Sequence, residues 1–483
     1  MTIGFCNIPY FFPMMIHGLG FLSLSASLVL PWALTGLVQG QRITESFVKD
    51  VRQSSTVPTV QQMPLPNRKL ISAASTATTY YVSGTGDDKK SGLSTSSAFR
   101  TLQRAANLTL PGDTVLVMNG VYKNIPGGAG AVLSIKRSGN ANAWIKYKAY
   151  PGHFPKIQHN TWNGIVLSNG VSYIEINGLE VIGNNANITL AYALSQKYNR
   201  SNPLTSGNCI TIDGSSSRVH HINILNSKVH DCGGAGIGVM AADYLKLDNN
   251  TVYNNAWYTV YGTSGISILN SWNFDGNQGY KIFLTNNKLY NNRMYVPWID
   301  AGRISDGNGM IVDSSRNGPS SKLKLSPYKG RTLIANNISY KNGGSGLHVF
   351  NSDHVDIINN TVYANTQSPE LKKSQSLASF SSDIKIINNI IQADPGQSVN
   401  RNYANTNMTY DHNLYNKSAV VGVIGPHDLF GDAQFVNPSI GDFRLKSTSP
   451  AIDRGYKWTD LKTDYAGNRR PAGSGYDIGA YEQ

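Results

Sequence analysis

The chain has 483 residues, with 42 Lys and Arg against 29 Asp and Glu, which gives a net charge of +13 and a pI near 9.4. Its 47 glycines, 10% aromatic residues and 15% charged residues are typical of a turn-rich β protein and exclude a largely disordered chain. The excess of positive charge favours an anionic partner such as a nucleic acid, an acidic polysaccharide or an acidic surface.

The N-terminal region carries an export signal. Residues 1–40 are apolar and contain no Lys, Arg, Asp or Glu. We interpret them as a signal peptide or a membrane anchor, although a basic n-region is missing, because the apolar run is long enough to span a bilayer. Residues 41–78, rich in Ser, Thr, Gln and Pro, predict a linker. We therefore expect the remainder to be secreted or at the cell surface, which argues against nucleic acid as a partner.

The folded body is predicted to begin with a strand and a helix. The sequence YYVS at residues 80–83 predicts a strand, and residues 98–106 predict a short amphipathic helix with Phe99, Leu102 and Ala106 on one face. We expect this helix to cover the N-terminal end of a β-helix, since an open end would expose the core and unpaired strand edges.

One short pattern recurs between residues 207 and 389: a glycine, alternating apolar residues, and a second strand that ends at an asparagine. The corner asparagines follow one another at 23, 37, 50, 23 and 29 residues: Asn226, Asn249, Asn286, Asn336, Asn359 and Asn388. Such repeats predict a parallel β-helix over residues 79–425, with stacked asparagines at its corners. The two long spacings predict loops, which often carry function.

Motifs at both ends of the body resemble a known group of proteins. Residues 426–483 have only short strand signals, and we expect them to cap the C-terminal end. Their DFRL, SPAID and DIGAYE motifs, with the opening YYVS, PGDTV and NGVY motifs, resemble secreted right-handed parallel β-helix repeat proteins of the pectate-lyase-like superfamily. The resemblance implies an all-β, right-handed parallel β-helix with a short N-terminal capping helix and long loops.

Within that superfamily, the chain is similar to polysaccharide lyase family 9, which cleaves pectate with a lysine base and a calcium ion held by aspartates. The catalytic strand of that family resembles DGNGM at residues 306–310, and this likeness aligns the lysine with Ile311. The calcium-binding turn aligns with residues 230–236, where Ala235 stands at an acidic position. These two departures leave the mechanism of that family open for this chain.

Alternation along the glycine-led strands predicts which side chains face outward. One outward column contains Thr211, Gly238, Ser267, Ile311 and His348, and the next contains Asp213, Met240, Leu269, Asp313 and Phe350. A corner column contains Asp231, Asn254, Asn291, Lys341 and Ala364.

β-Elimination of a uronate needs a base and a cation that neutralises the carboxylate. Candidate bases are His348 and Lys341, and Arg303 or Arg316 is a candidate neutralising group. Ca²⁺ is the alternative cation, with Asp231, Asp306 and Asp313 as its ligands. Further candidates for substrate binding are Arg316, Lys329, Arg331, Trp257 and Trp298. Each has a simpler alternative: turn carboxylates cap the backbone, basic loops are solvated, and aromatic residues pack loops.

The hypothesis is a polysaccharide lyase that acts on an acidic polysaccharide as a monomer. A non-catalytic carbohydrate-binding or surface-matrix protein is the alternative from another class, and a glycoside hydrolase or uronate epimerase stays open. Hydrolysis requires two carboxylates about 5 to 10 Å apart. Asp213 and Asp313 lie three coils apart, roughly 14 Å at about 4.8 Å per coil, and cannot form that pair.

The cysteines permit two interpretations. Cys209 and Cys232 are 23 residues apart, close to one coil, but the glycine alignment places Cys209 level with Gly236. We prefer two buried thiols over a disulfide, since a bridge requires a narrow Cα separation.

Overall fold

The computed structural model describes residues 77–124, 130–318, 323–371 and 374–483. The predicted signal peptide or anchor, residues 1–40, and nearly all of the predicted linker, residues 41–78, lie outside this part. The described residues form a right-handed parallel β-helix, which confirms the predicted fold class. No helix in these ranges is long and apolar enough to cross a membrane.

Each coil contributes one strand to each of three parallel sheets, which the chain enters in the order sheet 1, sheet 2, sheet 3 from residue 131 onward. Sheet 1 contains Ala131–Ile135, Asn163–Ser168, Asn208–Asp213, Ile237–Met240, Ile266–Leu269, Met310–Asp313, Leu347–Phe350, Ser374–Ser379, Ser398–Tyr403 and Val420–Val421. Sheet 2 contains Thr79–Val82, Thr114–Val117, Ile145–Ala149, Ser172–Asn177, Val219–Leu225, Ala242–Asp248, Tyr280–Thr285, Arg331–Ala335, Val355–Ile358, Ser382–Ile387 and Thr406–Asp411. Sheet 3 contains Val121–Lys123, Lys156–Gln158, Glu180–Ile182, Lys228–His230, Thr251–Tyr253, Lys288–Tyr290, Ile338–Tyr340, Thr361–Tyr363, Ile390–Gln392, Leu414–Tyr415 and Leu429–Phe430.

Helices are short in the described chain. They are the α-helices Leu102–Ala106, Leu190–Ser195 and Pro203–Ser206 and the 3₁₀ turns Asn185–Asn187 and Pro438–Ile440. The first begins after Thr101, whose hydroxyl accepts the Arg104 N–H at 3.2 Å. Phe99 precedes this helix instead of lying on it and pairs as an isolated bridge with Val82. Leu102 is buried in the same core as Val82, at the N-terminal end of the sheets.

Asparagine side chains stack through the core side of the corner between sheets 2 and 3. The rungs are fully buried or nearly so: the second asparagine of five Asn-Asn pairs, Asn250, Asn287, Asn337, Asn360 and Asn389, and Asn413, which follows His412. The side-chain N–H₂ of each of the first five rungs donates to the Oδ1 of the next rung at 2.9 to 3.0 Å and also to a backbone carbonyl. The first asparagine of each pair, such as Asn249 or Asn336, takes the left-handed conformation that turns the chain.

A second ladder, which was not predicted, lies at the corner between sheets 3 and 1. It joins Asn255, Asn292, Asn342 and Asn365 by amide hydrogen bonds of 3.1, 3.0 and 2.8 Å. All four rungs lie five residues after rungs of the first ladder, so each short strand of sheet 3 in these coils is held at both ends.

The preference for two free thiols was wrong. Cys209 and Cys232 are buried as expected, but their Cα atoms are 5.6 Å apart and they form a disulfide. Cys232 follows Asp231, which has a φ of 57°, so it lies in the corner between sheets 3 and 1. The alignment of the glycine-led strands did not show that Cys209 and Cys232 approach each other across one coil.

The C-terminal segment, which was predicted to cap the end of the β-helix, packs on the side of its coils. After Leu429–Phe430 completes a short edge strand, residues 433–480 fold back along the outside of earlier coils. Phe435, Phe443 and Ile478 pack on the outward side chains of Ile338 and Ile390 in sheet 3. Corner asparagines hold this segment by donating to its backbone carbonyls: Asn336 to Thr463, Asn359 to Asp477 and Asn388 to Tyr456 at 2.7 to 2.9 Å.

Removing one rung of the first ladder should destabilise the fold strongly. Asn337→Ala leaves the Asn287 N–H and the Leu284 carbonyl without their partners, and we expect a loss of about 3 kcal/mol in the free energy of unfolding. Asn226→Gly, at an exposed corner with φ of 50°, is the control and should cost less than about 1 kcal/mol. Equal losses in denaturant unfolding would contradict a structural role for the buried rungs.

The disulfide should stabilise the body. Replacing both Cys209 and Cys232 by Ala should lower the free energy of unfolding by about 3 kcal/mol, because the bridge closes a loop across 23 residues. Denaturant unfolding with and without reductant provides the control, since the double variant should be insensitive to reductant. A wild-type chain that is equally insensitive would argue against the bridge.

Candidate functional site

Sheet 1 presents the outward columns that the alternation predicted. Strand pairing joins Thr211, Gly238, Ser267, Ile311 and His348 in successive coils, and likewise Asp213, Met240, Leu269, Asp313 and Phe350. The residues between the two columns, such as Ile212 and Ile268, are fully buried in the core.

A groove of about 310 Å³ lies on the outer face of sheet 1, over its earlier coils. Its floor is formed by Thr211, Gly238 and Ser267, whose small side chains leave room above the sheet. Its walls come from the loops between sheets 3 and 1, which contribute Tyr261 and Trp298. These loops are the insertions that the long spacings predicted, and they make the groove.

Hydrogen bonds among the polar residues of the groove hold their side chains in place. Asn208 donates its amide to Thr211 Oγ1 at 3.2 Å and accepts the Ala235 N–H at 2.7 Å. Thr263 and Ser267 share a hydroxyl hydrogen bond of 3.3 Å. Among the described residues that line the groove, Asp213 is the only charged one. The groove therefore offers hydroxyl, amide and aromatic groups together with a single negative charge.

The two tryptophans predicted to bind sugar have different positions. Trp298 lines the groove beside Gly262 and Trp162. Trp257 instead packs among the loops with Tyr295, and its indole N–H donates to the Asn291 carbonyl at 3.0 Å. Tyr261 and Trp162, which complete the aromatic lining with Trp298, were not chosen from the sequence.

The predicted basic residues are not part of the groove lining. Arg316 pairs with Asp353 at 2.8 Å, and Arg331 pairs with Asp356 at 2.9 Å and with Asp383. Lys329 is exposed on the loop between sheets 1 and 2. Arg303 is exposed near the groove, where its carbonyl accepts the Trp298 N–H at 2.9 Å.

The two candidate bases occupy different faces. His348 is 6% exposed on sheet 1, one coil beyond Ile311, with its ring 6.1 Å from that of Phe350. Lys341 is exposed at the corner after sheet 3, with a φ of 52°, in the column that Asp231 begins. Ile311, at the position of the family lysine, is 5% exposed.

The three predicted calcium ligands have separate partners. The Asp231 carboxylate accepts from His230 at 2.6 Å and Asn254 at 2.9 Å; burial opposes its ionisation, yet these bonds hold its pKa below the usual value. Asp306 accepts the Ser305 hydroxyl at 2.6 Å beside Gly262, and Asp313 accepts the Ser314 hydroxyl at 2.6 Å.

To bind one calcium ion together, the carboxylates of Asp231, Asp306 and Asp313 would have to lie close to one another. Two oxygens bound to one Ca²⁺ at about 2.4 Å lie no more than about 4.8 Å apart. Among the described residues, the groups of three or more His, Cys, Asp or Glu with ligand atoms within 4.8 Å of one another do not include Asp231, Asp306 or Asp313. The three carboxylates, as they are placed, therefore do not fit one common calcium ion.

Comparison with known proteins gives one family match. The model of the Pel9A-like, right handed beta helix region matches residues 80–379. No curated protein matches the chain.

Three solved structures are similar to this chain at low sequence identity. The crystal structure of pectate lyase Pel9A has a TM-score of 0.50 and 15% identity, over 85% of this chain and 97% of that one. The complex of XylC with xylose has a TM-score of 0.47 and 12% identity, over 83% and 98%. A rhamnogalacturonan lyase has a TM-score of 0.44 and 16% identity, over 81% and 99%. At 15% identity the likeness to pectate lyase Pel9A concerns the fold alone.

Proposed function

The chain belongs to the family of Pel9A-like right-handed β-helix regions, and we propose that it is a secreted or cell-surface carbohydrate-active protein that binds a glycan in the groove on sheet 1. The groove lining supports this proposal, because it combines aromatic rings with hydroxyl and amide groups. Aromatic faces pack on sugar rings, and a few ordered polar groups fix the orientation of a ligand. The family membership supports the same class of ligand.

The reaction that we propose is β-elimination of a uronate-containing glycan. It requires a base to remove the proton next to the carboxylate and a cation to stabilise the charge that develops. His348 is the proposed base, because it lies one coil beyond Ile311 in the outward column. Arg303 is the proposed cation, because it lies on the loop that carries Trp298.

Glycan binding without turnover is the second candidate function. The apolar side chains at Ile311 and Ala235 favour it, because both occupy functional positions of the lyase family that the sequence resembles. Among the described residues, the groove lining adds no lysine or arginine that would replace them.

Loss of aromatic groove residues should weaken glycan binding. We expect Trp298→Ala and Tyr261→Ala each to reduce affinity about tenfold, since an aromatic stacking contact contributes about 1 kcal/mol or more. The control is Tyr403→Ala, which removes an exposed aromatic residue far along sheet 1. Calorimetry with oligosaccharides of pectate, alginate and glycosaminoglycans measures the effect, and full affinity in both groove variants would contradict the proposed site.

Elimination should appear as absorbance of unsaturated uronates when the chain is mixed with these polysaccharides, with Ca²⁺ and with chelator. We expect His348→Gln to lower kcat about 100-fold or more, while Lys341→Ala retains activity. Thermal unfolding of both variants controls for loss of structure, since His348 is nearly buried.

Other results of that assay would change the assignment. Saturable binding without absorbance would support the binding protein. New reducing ends without absorbance would mean hydrolysis.

A further inference from the structure

Two histidines and an aspartate meet near the C-terminal end of the β-helix, away from the groove. Asp411 ends the last strand of sheet 2, His412 follows it, and His427 comes from the loop before Leu429–Phe430. Their ligand atoms all lie within 4.8 Å of one another. The Nδ1 atoms of His412 and His427 lie 3.1 and 3.0 Å from Asp411 Oδ1.

These separations match the spacing of ligands around a small transition-metal ion. Zn²⁺ binds imidazole nitrogen and carboxylate oxygen at about 2.0 to 2.1 Å in a tetrahedral arrangement, which puts neighbouring ligand atoms about 3.3 Å apart. An ion needs little movement of these side chains to be bound.

The hydrogen bonding around His412 also favours a bound metal ion. Its Nδ1 is buried and makes no hydrogen bond within the described part of the chain, although Asp411 Oδ1 is 3.1 Å away. A buried nitrogen without a hydrogen bond is costly in a native fold, and a bound ion would satisfy it. Asp411 Oδ1 meanwhile accepts the backbone N–H of His427 at 3.1 Å, which orients the carboxylate.

The first asparagine ladder fixes the two histidines relative to each other. Its last rung, Asn413, donates its backbone N–H and its amide to Asp428 Oδ1 at 2.7 and 3.1 Å. Since His412 precedes Asn413 and His427 precedes Asp428, this contact holds the histidine backbones together. Gly425 donates to Asp428 Oδ2 at 2.6 Å and restrains the loop.

We propose that Asp411, His412 and His427 form a binding site for a transition-metal ion of the Zn²⁺ class. The ion joins the last strand of sheet 2 to the loop after it, and thus cross-links the final coil. The His427 side chain is 64% exposed, so water has access to the remaining coordination position. Ca²⁺ and Mg²⁺ prefer oxygen ligands, so a site with two imidazole ligands does not favour them.

The test is calorimetric titration of the chelator-treated full chain with Zn²⁺, together with thermal unfolding. We expect one ion per chain and a rise of about 2 °C or more in Tm with excess Zn²⁺. His427→Ala and His412→Ala should each lower the affinity for Zn²⁺ more than about tenfold. Even substitution of a residue that only hydrogen-bonds to a metal ligand lowers metal affinity by that much. Asp411→Asn should also weaken binding.

The matched control is His354→Ala, which removes a partly exposed histidine that pairs with Asp383 at 2.7 Å but is outside the cluster. It should bind Zn²⁺ as the wild-type chain does. His427 is exposed enough that its variant should fold, and the Tm without metal verifies this. No Zn²⁺ binding by the wild-type chain, unchanged affinity in both histidine variants, or equal binding of Ca²⁺ would each overturn the proposal.

Discussion

The stacking of buried asparagine amides between coils is the constraint on which the structure depends. Each amide must meet the next at hydrogen-bond distance, and the spacing of about 4.8 Å between neighbouring parallel strands allows it. A rung out of register would leave buried polar groups without partners on both sides. Coils therefore keep one register from Asn250 to Asn413, and extra residues leave the body as loops.

Those loops account for the candidate site. The spacings of 37 and 50 residues between corner asparagines each divide into a loop entering sheet 1 and a loop leaving it. The entering loops carry Tyr261 and Trp298 and wall the groove, whereas the leaving loops carry Arg316 and Lys329. One side of sheet 1 is thus aromatic and nearly neutral, and the positive residues are concentrated on the other side.

The sequence predicted what repeats and missed what depends on contacts between coils. Period-two alternation was sufficient for the outward columns, including Ser267 beside Ile311, because side-chain direction is a local property of a strand. The pairing of Arg331 with Asp356 crosses one coil and has no local pattern. The disulfide was missed for a similar reason. Cys232 lies in a corner and Cys209 lies on a strand of sheet 1, and no local pattern shows that these two residues approach each other. Outward apolar residues such as Ile338 and Tyr340 were a usable signal for the covering C-terminal segment.

The folded-back C-terminal segment also gives the chain a required order of assembly. The coils that it covers must be built before it can bind, and their strands precede it in the chain. Until it arrives, an apolar strip that includes Ile338, Ile390 and Leu414 faces water. A chain truncated after the last coil would keep its core and its groove but expose that strip, which is the kind of surface that drives aggregation. The C-terminal segment thus shields an apolar strip that the coils alone leave exposed.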